Sequence, residues 1–367
     1  MLSPKTAPTS NRTLINVIIA IVVSAIAAVA IVGLYISDVL GLPVPRYIFD
    51  SIVYASLFGL MAIGLTLTYL TTKVPNFAYG SFVTIGIYTS FTLSKLETPN
   101  TYLSNPYFST WIAFLIGGAS SVVMYLGVLR VLARRGSSLV ALMISTLAVD
   151  IAFTGIFGIY TDYLYGHYHL IDSKYFYQLG GDFELLGAPG LAFAAPISLG
   201  VITATIFILL TRTKFGIAMR AAVANPSLAR VLGIDVEKTY LFAWFLAGGF
   251  AALSGSFYTL WLPGAVNSGS NLIVEIFAAS VLGGLASIYG AVLGGLIIGA
   301  SEILVTDAGV QLFGSWVLIY QKGIPLVIMV ITLLFMPQGL VSVDWLHLPQ
   351  NIALTAGKAM RRIARGR

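Results

Sequence analysis

The chain has 367 residues, of which 58% are hydrophobic and only 9% are charged. Soluble domains carry about 25% charged residues, so this composition excludes a soluble globular protein and indicates several membrane-spanning helices. Cysteine is absent, which excludes disulfides, thiolate metal sites and a cysteine nucleophile.

Five membrane spans are predicted in the first 160 residues, after a Pro/Ser/Thr-rich arm at residues 1–13. They are Leu14–Ser37, Tyr47–Leu70, Asn76–Leu93, Ser109–Leu129 and Leu139–Tyr160. The first contains Ala28-Val29-Ala30, which resembles a signal-peptide cleavage site. Its apolar run exceeds the roughly 7–15 residues of a signal core, so we expect a retained helix.

The second half opens with a polar extracytoplasmic segment, Thr161–Gly187. Leu191–Leu210 and Tyr240–Leu262 are the next predicted spans, and the last is Gly323–Phe335, extended by the apolar part of Val310–Tyr320. These boundaries assign residues 14–340 to the membrane domain and residues 341–367 to a basic tail.

Val274–Val305 is apolar for 32 residues and is crowded with glycine in its middle. As a single helix it would measure about 48 Å, against about 30 Å of membrane hydrocarbon. The sequence therefore predicts two short passes or a re-entrant pair that turns near Ser287.

The positive charges favour two passes in that region. Two passes give ten in all, with both termini in the cytosol and sixteen of the 20 Lys and Arg residues on the cytosolic side. One pass would place the basic tail outside. We therefore predict an all-α polytopic membrane protein with broken or re-entrant glycine-rich helices, and five plus five passes permit an inverted repeat. The net charge of +6 is explained by topology and predicts no nucleic-acid partner.

A basic interruption of the apolar chain is the segment Arg212–Ile234, RTKFGIAMRAAVANPSLARVLGI, which belongs to a predicted cytosolic loop at residues 212–238. Asn225 suits a helix N-cap, Pro226 the first helical position and Gly233 a C-cap. The pattern predicts two short helices at the membrane surface that present a basic, small-residue face to a soluble partner. An ordinary loop that only fixes orientation is the alternative.

Small residues are concentrated around Leu57–Gly86 and Leu282–Gly299. Broken helices near the membrane midplane are where transporters bind cargo, so we predict a translocation path between the two stretches. Its predicted residues are Asn76, Gly80, Gly283, Gly284, Ser287, Gly290 and Gly294. Helix packing alone is the alternative role for each glycine.

Few ionisable residues lie within the predicted spans. Asp150 is expected to have a structural role, protonated or hydrogen-bonded to Ser145 or Thr154, and proton coupling is the alternative. Asp50 and Glu275 are expected at outer helix ends, in the interface. His167 and His169 lack a third ligand nearby, so no metal site is predicted.

Enzyme signatures are absent from the sequence, including H-E-x-x-H, G-x-S-x-G and the phosphate loop G-x-x-x-x-G-K-[ST]. We therefore predict a non-enzymatic chain that binds no cofactor, with ATP used by a partner subunit if ATP drives it. A secondary transporter, a passive channel and a membrane enzyme are the other classes considered. The first would depend on Asp150 for ion coupling.

Three motifs resemble the permease subunits of branched-chain amino acid ABC importers, nearest to the LivH type. They are the N-x-A-x-G core at Asn76, Ala78 and Gly80, the glycine-rich run AASVLGGLASIYGAVLGGLIIG, and the R-x-x-x-G-x-x-x-R-A motif that starts at Arg212. Pro337-Gln338-Gly339-Leu340 resembles the closing motif of that family. The resemblance assigns coupling to an ATPase to Arg212, Gly216, Arg220, Ala221, Ala222, Ala229, Gly233 and Ile234.

The resemblance also implies an assembly in the plasma membrane. Two permease subunits, identical or paired with a LivM-like chain, would be joined by two cytosolic ATPases and fed by an extracytoplasmic binding protein. Tyr79, Tyr289, Glu275 and Asn225-Pro226 depart from the usual family residues, which leaves the cargo open. Branched-chain or related small amino acids are expected first, and urea, short amides or sugars are the alternatives.

Overall fold

The computed structural model describes residues 46–96, 105–185 and 188–342. The predicted arm at 1–13, the predicted span Leu14–Ser37 and nearly all of the tail at 341–367 lie outside these residues.

Helices make up most of the described chain. In chain order they are α1 (Arg46–Thr72), α2 (Tyr79–Leu96), α3 (Pro106–Arg134, with a π-helical turn at Tyr125–Leu129), α4 (Leu139–Tyr168), α5 (Leu191–Arg212), α6 (Lys214–Ala224), α7 (Pro226–Val231), α8 (Val236–Tyr258), α9 (Ser268–Asn271), α10 (Ile273–Gly283), α11 (Ile288–Phe313) and α12 (Gly323–Phe335). Short 3₁₀ turns follow at Ile171–Ser173, Ser315–Tyr320 and Leu340–Ser342.

Two small antiparallel ladders connect the loops. Strand β1 (Tyr175–Phe176) pairs with β4 (Gly264–Ala265), and β2 (Glu184–Leu185) pairs with β3 (Ala188–Pro189). The first ladder ties the polar segment after α4 to the loop after α8.

Six helices of the described ranges are long and apolar enough to cross a membrane, namely α1, α3, α4, α5, α8 and α11. The polytopic helical fold expected from composition is therefore confirmed. The total of ten passes and the inverted repeat stay predictions.

Several helix boundaries differ from the sequence prediction, and those of α4 and α2 have a clear physical cause. Helix α4 continues to Tyr168, eight residues past the predicted end, because Thr161 and Leu164 still pack inward and Ser173 caps the Thr161 carbonyl. Helix α2 begins at Tyr79, not at Asn76, because the Asn76 side chain accepts a hydrogen bond from the backbone N–H of Ala78. Asn76 therefore lies in a non-helical approach to α2.

The core is formed by α1, α2 and α8, whose facing side chains are almost completely buried. Trp244 of α8 is fully buried, and its indole N–H donates to Thr71 of α1 at 3.0 Å. Helices α2 and α8 touch backbone to backbone, since a Cβ atom on Gly86 would overlap the carbonyl of Ala252. Such contacts require small residues, which explains why glycine is concentrated here.

Helices α10 and α11 form an antiparallel hairpin that turns at residues 284–287. Gly284 has φ +104°, a conformation that favours glycine, and Ser287 caps α11 by accepting from the N–H of Gly290 at 3.1 Å. The predicted turn near Ser287 is confirmed. Helix α10 has 11 residues, about 16 Å in length, so it is too short to cross the hydrocarbon as a helix.

The bundle has two distinct ends. Helices α6 and α7 lie at one end, beside the start of α8 and the end of α3, where Arg134 pairs with Glu237 at 3.1 Å. At the other end the Trp261 indole donates to Asp50 at 2.7 Å. We call these the α6–α7 end and the opposite end.

Candidate functional site

Helices α6 and α7 are capped at their boundaries by local side chains. Thr213 accepts from the N–H of Gly216 at 3.3 Å, and Asn225 accepts from the N–H of Leu228 at 3.0 Å, with Pro226 as the first helical residue. Gly233 follows α7 with φ +80°, as a C-terminal glycine does. The two short helices and the Asn225, Pro226 and Gly233 roles predicted for them are confirmed.

The start of α6 is fixed to the end of α5 by two of the predicted coupling residues. Gly216 is buried, and a Cβ atom there would overlap the carbonyl of Leu210. The Arg220 guanidinium donates to that same carbonyl, in the last turn of α5. A cation at a helix C-terminus is favourable, so the spacing of Gly216 and Arg220 serves to join the two helices.

Two alanines of the segment, Ala222 and Ala229, face the bundle and not solvent. Ala222 and Ala229 are buried together with Val236. The Tyr240 hydroxyl donates to the Ala222 carbonyl at 3.1 Å, and the Ile234 N–H donates to the Ala229 carbonyl at 3.0 Å. The small-residue outer face that was predicted therefore does not include Ala222 and Ala229. Small residues are needed inside because α6, α7 and α8 approach one another closely there.

The outer face of the segment is apolar with basic residues beside it. Leu228, Val231 and Leu232 are 55%, 82% and 69% exposed, and Arg212 and Arg230 are also exposed. Three aliphatic side chains at three- and four-residue spacing were visible in the sequence, but only the fold shows that this stripe points away from the bundle. Contiguous exposed apolar residues mark an interaction surface.

A groove of about 780 Å³ separates α5 and α6 from the turn of the α10–α11 hairpin. Arg212 and Arg220 line one wall, and Ser287 and Tyr289 line the other. The Tyr289 ring also contacts Phe207 of α5, with ring centroids 5.8 Å apart. The groove therefore places the predicted coupling residues beside one end of the predicted path.

The N-terminal half of the predicted path is buried at the start of α2. Asn76 is 1% exposed, and its side-chain N–H₂ group has no hydrogen-bond acceptor among the described residues. Gly80 packs against the backbone of Gly269 in α9, where a Cβ atom would overlap the carbonyl oxygen.

The glycines of the second half pack within the hairpin and beyond it. Gly283 faces Gly290, Gly294 faces the Ala279 carbonyl, and Gly284 faces the backbone of Gln338. The neighbouring Gly295 touches Gly59 of α1. These contacts give each glycine a packing role, and the translocation path between the two stretches stays a prediction.

Asp150 joins three elements through its carboxylate. It accepts hydrogen bonds from Ser81 of α2 at 2.6 Å and from Ser270 of α9 at 3.0 Å. Neither predicted partner bonds to the carboxylate: the Ser145 hydroxyl donates to the Leu142 carbonyl, and the Thr154 hydroxyl donates to the backbone carbonyl of Asp150. Both hydroxyls bond to backbone carbonyls of α4, which leaves the Asp150 carboxylate free to bond to α2 and α9.

Replacing Asp150 by Asn is expected to retain the fold and transport, because the amide oxygen can still accept from both serines. Asp150→Ala would leave two hydroxyls unpaired and destabilise the protein by about 1–3 kcal/mol. Thermal unfolding of the two variants and the pH profile of transport measure this. Normal folding of Asp150→Asn with lost or pH-shifted transport would contradict a structural role and favour proton coupling.

Two acids behave differently from the sequence interpretation. Glu275 was expected in the interface but is 1% exposed, because α10 packs against α1, α11 and α12. Glu302 of α11, 3% exposed, was not singled out at all. Its signal was available, since an acid inside an apolar span is a functional candidate by default.

Metal-ligand residues are dispersed in the described ranges, where no group of three or more His, Asp or Glu side chains is close enough to hold an ion. His167 stacks on Tyr163, with ring centroids 5.4 Å apart.

The α8 N-cap is Asp235, and the hydrogen bonds that it accepts from Lys238 hold the pKa of its carboxyl below the ordinary value.

Comparison with known proteins gives consistent matches. Residues 47–333 match the family model described as the permease component of the branched-chain amino acid transport system. The chain is 42% identical over 303 residues to the probable branched-chain amino acid transport permease protein LivH of Methanocaldococcus jannaschii, covering 83% of this chain and 94% of that protein. It is 27% identical over 322 residues to the LivH protein of Salmonella typhimurium, covering 81% of this chain and 95% of that protein.

A weaker match extends to a sugar permease. The xylose transport system permease protein XylH of Haemophilus influenzae is 27% identical over 299 residues, covering 77% of this chain and 73% of that protein. No solved structure matches. The match to the family model includes all six candidate membrane helices and omits only Arg46, the first residue of α1. On this ground the chain belongs to the family of branched-chain amino acid transport system permease components.

Proposed function

We propose that this chain is the membrane-spanning subunit of an ABC importer that passes branched-chain or related small amino acids across the plasma membrane. The observation that carries the proposal is the 42% identity to a LivH permease across 94% of that protein. An extracytoplasmic binding protein would deliver the cargo, and a second permease, identical or LivM-like, would complete the membrane unit.

A separate ATPase would drive transport, since the chain has no G-x-x-x-x-G-K-[ST] loop of its own. We place its docking surface on Leu228, Val231 and Leu232, with Arg212 and Arg230 at the rim. Movement of α6 would reach the α10–α11 turn across the groove lined by Arg220 and Ser287. The buried residues Gly216, Ala222 and Ala229 would hold the docking helices in place.

The α6–α7 end is assigned to the cytosol. It holds Arg130, Arg134, Arg212, Arg220 and Arg230, and the positive-inside rule places such clusters in the cytosol. If the predicted span Leu14–Ser37 is included and the α10–α11 hairpin counts as two passes, the total is ten. Both termini would then face the cytosol. Five plus five passes would permit an inverted repeat.

The path is proposed to follow the broken helix starts. The buried amide N–H₂ group of Asn76 has no acceptor among the described residues and could donate to a cargo carboxylate. Ser287 would lie at the cytosolic exit of the path. The glycines would let the backbones of the lining helices approach the path closely. Along these residues the cargo would thus meet polar groups and glycine backbone.

Uptake of radiolabelled leucine by cells with and without the gene tests the cargo assignment. We expect uptake to depend on the gene and to be competed by isoleucine and valine. The similarity to a xylose permease makes sugars the second candidate. Competition by xylose or ribose, with no effect of the amino acids, would replace the first assignment by the second.

A further inference from the structure

A buried polar cluster lies between α10, α11 and the residues just before α12. Glu275 and Glu302 are 1% and 3% exposed, and consecutive residues, Gln321 and Lys322, contact one acid each. The Gln321 amide donates to Glu302 at 3.1 Å, and the Lys322 ammonium lies 3.5 Å from Glu275. The two carboxylates therefore belong to one site.

The carboxylate oxygens are poorly partnered. Among the described residues neither oxygen of Glu275 and only one oxygen of Glu302 has a hydrogen-bond donor. Glu275 is the third residue of α10, where the helix N-terminus and Lys322 favour the ionised form. Glu302 lies within α11 and has only the neutral amide of Gln321.

The cluster holds more acidic than basic groups. If both acids are ionised, two carboxylates and one ammonium leave a net charge of −1, which either a proton on one acid or a bound cation would balance. The phenol groups of Tyr54 and Tyr258 lie within electrostatic range of Glu302 and offer neutral oxygens. One monovalent cation with a preference for oxygen ligands would complete the cluster.

A cavity of about 410 Å³ lies beside the cluster at the opposite end of the bundle. Tyr54 and Gln321 line it, together with Arg46, Asp50 and Asp307. Gln321 is thus shared between the cavity and the acidic cluster. A polar cavity of this kind can admit a hydrated ion or an ammonium group.

We propose that Glu275 and Glu302 together bind one monovalent cation, which enters through this cavity. The cation is either an alkali-metal ion or the ammonium group of an amino-acid cargo, and only the second source rests on the proposed function. Glu275 and Glu302 would contribute the charge, and Gln321 would orient Glu302.

The test measures the unfolding temperature of the purified full-length chain in choline chloride, and after replacement of choline by Li⁺, Na⁺ or K⁺ at constant ionic strength. Parallel samples receive leucine or isocaproate, which has the same carbon chain without the ammonium group. A ligand at ten times its Kd should raise the Tm by roughly 2–4 °C. A response to one alkali ion identifies the first source, and a response to leucine but not isocaproate identifies the second.

Three variants refine the result. Glu302→Gln should abolish the shift, whereas Asp162→Asn, which changes an exposed acid of α4 outside the cavity, should retain it. Lys322→Gln removes the competing positive charge and should lower the half-saturating concentration about tenfold or more. It changes a side chain that is 60% exposed, so the variant remains informative even if Glu302→Gln does not fold.

The inference is overturned if the wild-type chain responds to no alkali ion and not to leucine, or if Glu302→Gln keeps the full shift. It is also overturned if Lys322→Gln weakens the response, since a purely structural ion pair predicts that direction. An alkali-ion response stands even if the chain transports no amino acid, so the two proposals fail separately.

Discussion

Replacing Gly86 by Ala is expected to destabilise the protein by about 3 kcal/mol or more, near the upper end for overpacking. The added Cβ atom would overlap the Ala252 carbonyl, and backbone atoms cannot move aside as a side chain can. We expect the Tm to fall by roughly 4 °C or more. Thermal unfolding of the purified variant followed by tryptophan fluorescence measures the change.

Gly155→Ala is the matched control, because no atom lies within 4 Å of the Cβ position at this helical residue of α4. Alanine is the better helix former, so the control should gain about 0.5–1 kcal/mol. Equal stability of the Gly86 variant and wild type would show that α2 and α8 are not in contact as described.

The predicted path residue Gly80 has the same kind of contact as Gly86. Its Cβ atom would overlap the Gly269 carbonyl. Gly80→Ala is therefore expected to be destabilised, as packing requires. A stable Gly80→Ala protein that has lost transport would instead support a direct role in lining the path.

The second large effect is expected at the outer face of α7. Val231→Asp should weaken association with the ATPase by about thirtyfold or more, because a charge would replace an apolar contact of about 2 kcal/mol or more at the interface. The side chain is 82% exposed, so the stability of the permease itself should change by less than about 0.5 kcal/mol. Affinity between the purified subunits and the Tm of the permease are the two readouts.

Ile171→Asp is the control for this variant. Ile171 is 85% exposed and follows α4, in the polar segment that reaches the opposite end of the bundle through β1 and β4. It should leave ATPase association unchanged. Docking on α7 would be contradicted if Val231→Asp retained full affinity, or if both substitutions reduced it equally.

Much of the fold followed from local sequence patterns. Asn225, Pro226 and Gly233 specify the boundaries of α7 by themselves, because caps depend on neighbouring backbone groups. The turn at Ser287 was equally accessible, since a 32-residue apolar run exceeds the membrane thickness. Both features arise within a few residues or from a simple length.

Contacts between distant segments could not be read in this way. Asp150 could have bonded to several hydroxyls, and only the position of α9 selects Ser270 as a partner. The burial of Ala222 and Ala229 depends on how α6 and α7 fold back onto α8. Glu275 and Glu302 are linked through two consecutive residues before α12, since Lys322 contacts the first acid and Gln321 the second. No periodicity in the sequence indicates these contacts.

The most direct measurement of ATPase docking uses the absence of cysteine in the native chain. Val231→Cys and Ile171→Cys are introduced singly, and each protein is treated with a photoactivatable maleimide in the assembled complex. We expect Val231→Cys to crosslink to the subunit that carries the phosphate loop and to be shielded from impermeant thiol reagents outside intact cells. Ile171→Cys should be labelled from outside and should not crosslink to that subunit. Labelling of Val231→Cys from outside, or no crosslink to the ATPase, would contradict the central claim.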